Sequence, residues 1–231
     1  MPDRTEAAGA RRTGHTVKEF DRELGELSAM VVTMGCKVLE QFGHAVKALQ
    51  ERDPAEVRIA READDEIDDL EVRIDTEMLR LLALRNPMAL DLRAIVAASR
   101  IATDLERIGD YAGSLAKTSL RLDSPDLDVY RPLLARMAEE ARVMLAQILE
   151  AMVSENAELA VRVWHHDDIL DDLHDELIEM LTASLGKSSG AVMPHSSLIY
   201  AARALERIGD HVTNIAEHIY FHVHGEKYRG R

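Results

Sequence analysis

Four short acidic segments hold the residues whose types and spacing could do chemistry. Glu106 and Asp110 stand four apart, as do Glu206 and Asp210, Asp64 and Asp68, and Asp167 and Asp171. On an α-helix that spacing puts both carboxylates on one face, one turn apart. Asp64, Asp68, Glu71 and Asp75 extend one row by steps of four, three and four, and Asp168, Asp172, Asp175 and Glu179 form another. Like charges at this spacing cost an isolated helix roughly 0.2–0.5 kcal/mol per pair. Arg61, Arg107 and Arg203 are spaced to pair with Asp64, Asp110 and Glu206. Asp68, Glu106, Asp167 and Asp171 have no Lys or Arg three or four residues away. Another helix, solvent or a bound cation must answer their charge. Antiparallel packing of two such helices would gather four carboxylates into an all-oxygen site suited to Mg²⁺, Mn²⁺, Ca²⁺ or ferric iron. A solvated acidic face with local ion pairs is the alternative, and spacing alone leaves both open.

The elements that position these acids are helices. Phe20, Leu24, Leu27, Val31, Met34 and Val38 recur at steps of four and three, the signature of a helix burying one face. Similar stripes run through Ala63–Met78, Ile101–Leu115, Leu134–Ile148, Val163–Leu177 and Ala201–Ile219. Asp53-Pro54 reads as a cap followed by a first-turn proline. Asn86-Pro87 and Asp123-Ser124-Pro125 break the pattern, and Gly186 to Pro194 reads as a loop. The expected fold is all-α: six long helices of about 30 residues each, in two repeated antiparallel three-helix bundles. Residues 16–123 form the first bundle and 126–225 the second, with tails at 1–15 (expected disordered) and 226–231. Helices three and four could also run together across the joint.

The halves repeat. Glu106-Arg107-Ile108-Gly109-Asp110 recurs as Glu206-Arg207-Ile208-Gly209-Asp210, 100 residues on, and Ile67-Asp68-Asp69-Leu70 as Leu170-Asp171-Asp172-Leu173, 103 residues on. Duplication accounts for this. Gly109 and Gly209 sit mid-helix, where each costs about 1 kcal/mol relative to Ala; they make room either for a metal cluster or for close helix packing. His174 stands where the first repeat has Glu71 and is a candidate ligand. His166 is expected at the core boundary, His211 and His218 on the surface, Cys36 buried, and Trp164 as a packing anchor.

Composition narrows the function. The 231 residues carry 28 Lys and Arg against 42 Asp and Glu, a net charge of −14, opposite to the basic footprint of nucleic-acid binding. One cysteine excludes an internal disulfide and a thiolate zinc cluster, and fits a reducing compartment. No apolar run approaches the roughly 18 residues of a membrane span, and no signal peptide is evident, so a soluble cytoplasmic protein is expected. No phosphate loop, nucleophile elbow or kinase core is present.

Together the twin Glu-Arg-Ile-Gly-Asp strings, the paired Asp-x-x-x-Asp segments and Pro87-Met88-Ala89-Leu90-Asp91-Leu92-Arg93 resemble the PhoU family, over roughly residues 17–229. The second half departs at Pro194-His195-Ser196-Ser197-Leu198, which lacks the Asp-Leu-Arg. The resemblance implies a cytoplasmic homodimer acting at the inner membrane face through its partners, the ATPase subunit of a phosphate ABC transporter and a phosphate-sensing histidine kinase, with no direct membrane insertion. It implies a non-enzymatic negative regulator of the phosphate-starvation response that also modulates phosphate uptake. It also implies multinuclear clusters of iron, manganese, magnesium or zinc, one on Asp64, Asp68, Glu106 and Asp110, the other on Asp167, Asp171, Glu206 and Asp210. Two rival readings are a ferritin-like di-iron oxidase, which needs Glu-x-x-His pairs facing a bundle interior and finds only Asp171-x-x-His174, and a structural spacer of helical bundles.

Overall fold

The computed structural model describes the backbone of residues 4–185 and 192–230 and the side chains of residues 18–184 and 194–230. Its described elements are α1 (Arg4–Glu51), α2 (Pro54–Arg85), α3 (Leu90–Ser119), a 3-10 turn (Pro125–Leu127), α4 (Arg131–Val153), α5 (Ala157–Leu185) and α6 (Val192–His224). α1 begins at Arg4 and so takes in most of the residues for which composition predicts a tail. Residues 186–191 of the expected loop lie outside the described part; Pro194 belongs to the first turn of α6, where its missing N–H costs nothing.

Local chemistry sets the helix ends. The Asp53 carboxylate accepts from the Ala55 N–H, and Pro54 opens α2. Asn86 ends α2 in the left-handed region (φ 44°), which Asn tolerates better than most residues, and Pro87 forbids continuation. α3 stops at Ser119, and the 3-10 turn at Pro125 separates it from α4, so the third and fourth helices do not run together.

The stripes are the core. Leu27, Met34 and Val38 of α1, Ile67 and Ile74 of α2, Leu105 and Ile108 of α3, Met137 and Met144 of α4, Leu170 and Leu177 of α5, and Leu205 and Ile208 of α6 are buried in one contiguous cluster. Each such side chain contributes roughly 1.5–3 kcal/mol. α1, α2 and α3 pack together, as do α4, α5 and α6, and the halves join chiefly along α3 and α6 and through α1 against α4. α3 and α6 run antiparallel: Arg93 donates to the His222 carbonyl (3.4 Å) near one end, and Asp104 meets His211 and His218 further along.

That joint buries a charge. Asp104, 8% exposed, receives His211 Nδ1 at 2.8 Å, Asn214 Nδ2 at 3.2 Å and His218 Nε2 at 3.2 Å. Burial alone would raise its pKa; the hydrogen bonds from His211 and His218 outweigh burial and hold the carboxyl below its ordinary range. His211 and His218 are therefore half-buried partners of Asp104 rather than surface residues, a pairing across 107 and 114 positions that helical periodicity does not reveal. Cys36 is exposed, not buried: two residues from both Met34 and Val38, it falls about 200° round the helix from each, away from the seam. Trp164 packs against Tyr228 (5.2 Å between ring centroids), and the Tyr228 hydroxyl meets His165 Nε2 at 2.9 Å, so the C-terminal segment docks on α5.

A second buried charge ties α1 to α2. Glu23 is held bidentately by Arg85 (2.8 and 3.0 Å) and by Arg80 (2.9 Å). These arginines, Arg85 above all, hold its pKa at about 2 against an ordinary 4.5. The folded value lies below the unfolded one, so this stabilisation is complete above about pH 4.5 and fades as pH falls toward about 2. Denaturation of Glu23→Gln should show a loss of about 2 kcal/mol at neutral pH, shrinking toward nothing in acid.

Candidate metal centre

Helix register and the apolar seams decide where the acids lie. Asp64 and Asp68 of α2 flank buried Ile67, and Glu106 and Asp110 of α3 flank buried Ile108. The second half repeats this with Asp167, Asp171 and Leu170 on α5, and Glu206, Asp210 and Ile208 on α6. Asp68 and Asp171 are exposed; the other six are half-buried at the rims of the α2–α3 and α5–α6 seams. The row Asp168, Asp172, Asp175 and Glu179 is exposed throughout, a solvated face.

The electrostatics confirm that acids from both helices of a seam feel one another. Asp68 is shifted upward by lost hydration along the seam, then by Asp64 and by Asp110 across it. Glu106 is raised by burial and Asp110, with Arg107 opposing. In the second half, Asp171 is raised by burial and then by Asp210, and Glu206 by burial and Asp210, with Arg207 and His174 opposing. Asp167 is pushed furthest, to about 7, by burial and then by Asp171 and Asp210.

Of the three i,i+3 pairs expected, Arg107–Asp110 forms, while Arg61–Asp64 and Arg203–Glu206 do not. Arg107 stands 3.4 Å from Glu106, its chain neighbour, and 3.3 Å from Asp110; Arg207 stands 3.4 Å from Glu206 and 2.7 Å from Asp210. The arginine inside each repeated string thus straddles its two acids, a role the i,i+3 and i,i+4 search reveals only in part. Among the described residues, Asp64, Asp68, Asp167 and Asp171 make no ion pair, and neither Arg61 nor Arg203 reaches a carboxylate.

The glycines are close-approach positions. A Cβ on Gly209 would fall 2.4 Å from Asp167 Oδ1 and 2.7 Å from Leu170 Cδ2. On Gly109 it would meet Gln41 Oε1 at 3.0 Å and Ile67 at 3.5 Å. Of the two expectations for these glycines, close helix packing is what the structure shows; in the second half the space beside Gly209 is taken by a carboxylate oxygen.

Gln41 is a site residue that spacing could not find. Fully buried on α1, it donates to the Ala60 carbonyl (2.9 Å) and to Asp64 Oδ1 (3.1 Å). Glu71 and Asp75 accept from Thr103 (3.1 Å) and Ser99 (2.7 Å) on α3.

The donor set suits a cation. Asp167 Oδ1, Glu206 Oε2 and His174 Nε2 are buried atoms without a hydrogen-bond partner, as is Gln41 Oε1 in the first half. Unsatisfied buried acceptors are costly and call for a proton, water or metal. As they stand, no three His, Cys, Asp or Glu side chains among the described residues enclose a point ready for a metal ion. Binding therefore requires the carboxylates to turn inward against their mutual repulsion.

The PhoU domain matches residues 31–119 and again 134–219, one match per half. The chain belongs to the PhoU family. A Caulobacter vibrioides protein named as a homologue of the phosphate-specific transport system accessory protein PhoU is 36% identical over 217 residues, 93% of this chain and 94% of its own length. The crystal structure of PhoU from Pseudomonas aeruginosa aligns with a TM-score of 0.84 at 34% identity, covering 90% of this chain and all of that one. A phosphate transport system regulatory protein PhoU from Streptococcus pneumoniae has the same TM-score at 28% identity, over 91% and 99% of the two chains. The two PhoU repeats are thus the two bundles that the twin strings mark.

Three substitutions test this geometry. Gly209→Ala should destabilise the protein by about 2 kcal/mol, because overpacking outweighs the helix-propensity gain. Gly25→Ala, where no atom lies within 4 Å of the added carbon, should stabilise it by up to about 1 kcal/mol. In protein stripped of divalent metal, Asp167→Asn should raise stability by about 3 kcal/mol near pH 8. The Asp167 pKa is raised from 3.8 to about 7, so the parent loses stability as pH rises through that window, and the two proteins converge below it.

Proposed function

We propose that this PhoU-family chain is a non-enzymatic accessory protein of a phosphate transport system and a negative regulator of the phosphate-starvation response. The observation that carries the reading is the family match in both halves, with near-full-length relatives named for phosphate-specific transport. When phosphate is plentiful, the chain couples the ATPase subunit of a phosphate ABC transporter to a phosphate-sensing histidine kinase, favours the kinase's inactive output and restrains uptake. Such coupling requires different affinities for the partners' conformations. The exposed acidic faces and the net charge of −14 favour partners with basic docking surfaces. No described helix is long and apolar enough to cross a membrane; in this reading the chain is a cytoplasmic homodimer that reaches the inner membrane face through its partners.

In this reading the two acidic seams hold metal: Asp64, Asp68, Glu106 and Asp110 in the first repeat, Asp167, Asp171, Glu206 and Asp210 in the second. Iron, manganese, magnesium and zinc are the candidate ions. A bound cation would relieve the repulsion among these carboxylates and offer open positions to a partner's oxygen or nitrogen donors. Gly209 and Leu170 hold Asp167 against α6, while Arg107 and Arg207 orient the acids of the repeated strings. The di-iron oxidase has no support in the geometry, since Asp171 is exposed and the Asp171–His174 pair lies at a seam rim instead of inside a bundle.

Deleting the gene should leave a phosphate-starvation reporter high in phosphate-replete medium, and restoring the intact gene should return it to low output. Normal repression in the deletion strain, with no paralogue present, would defeat the regulatory reading. Metal content of the purified protein should fall in Asp68→Ala/Glu106→Ala; equal content in both proteins would sink the first-repeat site.

A further inference from the structure

The joint between α3 and α6 repeats itself end for end. A shift of 100 residues carries buried Leu105, Ile108, Ala112 and Leu115 of α3 onto buried Leu205, Ile208, Val212 and Ile215 of α6. The helices run antiparallel, and Tyr111 meets its own counterpart, His211, with 5.7 Å between ring centroids. A pseudo-twofold axis therefore passes close to that pair, and each end of the joint has its equivalent at the other. The two ends are filled differently. At one, Asp104 of α3 is held by His211, Asn214 and His218 of α6. At the other, Ala204 is the counterpart of Asp104, and Tyr111, Ser114 and Thr118 are the counterparts of its three donors. These four residues line an open cavity of about 650 Å³, within the range of small-molecule sites. The three hydroxyls can each donate, and none has a hydrogen-bond partner among the described residues. Donors are present at both ends; the acid is present at one.

The open end also gathers positive charge. Lys117 and Arg121 from the end of α3 and Arg203 and Arg207 of α6 border the cavity, and no described Asp or Glu does. Lys117, Arg121 and Arg203 are exposed and make no ion pair among the described residues. Arg207 is shared with Glu206 and Asp210, and Lys117 also borders the acidic cleft beside Asp64 and Asp110. The counterparts of Lys117, Arg121 and Arg203 at the opposite end are Glu217, Phe221 and Thr103. The cationic cluster therefore belongs to one end alone. In a chain of net charge −14, these side chains repel one another with no internal acid in the cavity to answer them.

We infer that this cavity binds an anion built on a chain of two or three phosphoryl groups, held by Arg121, Arg203 and Lys117, with the hydroxyls of Ser114 and Thr118 as further donors. The ligand's charge takes the place that Asp104 fills at the opposite end. Guanidinium forks match phosphoryl oxygens bidentately. Three unpaired cations balance a di- or triphosphate and would be only partly answered by one orthophosphate. Tyr200 lines the same cavity and is 73% exposed, so its ring offers a face on which a nucleobase can stack. The same phosphoryl chain occurs in inorganic form and in nucleotides, and the ring of Tyr200 separates the two.

The test uses the full chain in a chelating buffer, so that no metal on the acidic seams can bridge an anion. Binding of inorganic tripolyphosphate, adenosine triphosphate and orthophosphate is measured by titration calorimetry. Tripolyphosphate should bind at least about tenfold more tightly than orthophosphate. Arg121→Gln and Arg203→Thr, the latter restoring the residue of the first repeat, should each weaken it about tenfold or more. Ala204→Asp, which supplies the carboxylate found at the opposite end, should abolish it. Arg100→Ala removes an exposed cation that does not border the cavity and should change affinity less than about twofold. Thermal unfolding checks the fold of each variant, and the two exposed arginines keep the test decisive if Ala204→Asp fails to fold. A preference for adenosine triphosphate that Tyr200→Ala removes supports a nucleotide ligand; equal affinity for the two triphosphates supports an inorganic chain. No binding of either triphosphate, or binding untouched by both arginine replacements, overturns the inference. So does equal binding of orthophosphate, or of polyglutamate as a stand-in for an acidic protein segment.

Discussion

Burial of the Leu, Ile and Met stripes is what forces mutually repelling carboxylates onto two narrow seams. Each buried side chain contributes roughly 1.5–3 kcal/mol, against a few tenths for each like-charge pair on an exposed helix. Packing therefore dictates where the acids go. Ile67 and Ile108 bring α2 against α3, Leu170 and Ile208 bring α5 against α6, and the acids that flank them must follow. Gly209 sharpens the constraint, since a Cβ there would collide with Asp167 and Leu170. Asp167 bears the result, with its pKa near 7 in the absence of any cation.

The joint between the repeats obeys a different rule. α3 and α6 carry the two copies of the Glu-Arg-Ile-Gly-Asp string, and each also turns a face toward the other. There Asp104 is answered by three hydrogen-bond donors of α6. The acids of the seams are answered less fully: Asp64 accepts from Gln41, Asp110 and Asp210 accept from the arginine of their own string, and Asp68, Asp167 and Asp171 make no ion pair among the described residues. The described residues thus include two compensated buried carboxylates, Glu23 within the first bundle and Asp104 between the halves, and others left partly uncompensated at the rims of the seams. The first arrangement contributes rigidity; the second leaves carboxylates whose charge is only partly answered within the chain.

Much of the fold was legible because helical periodicity is a local property. The stripes through Leu27, Ile67, Ile101, Leu134, Leu170 and Leu205 named the buried faces, and Asp53-Pro54 and Asn86-Pro87 marked real ends. Residues whose surroundings depend on distant partners were not legible. His211 and His218 were placed on the surface because nothing on α6 discloses Asp104. Cys36 was placed inside on its residue type, whereas its phase, two residues from both Met34 and Val38, turns it away from the seam. Gln41, on the first helix, gave no sign that it would bond to Asp64 on the second.

By itself the sequence determined the helical class, the duplication and which residues recur as acid pairs, since each follows from composition, period and self-similarity. Only the tertiary structure decided which acids share an environment, which keep a partner and which are left bare. Hydration and charge compensation depend on neighbours from other helices, and α1 and α4 differ where it counts: Gln41 in one, Met144 in the other. That difference, together with the exchange of Glu71 for His174, makes two seams with the same acid pattern physically unlike.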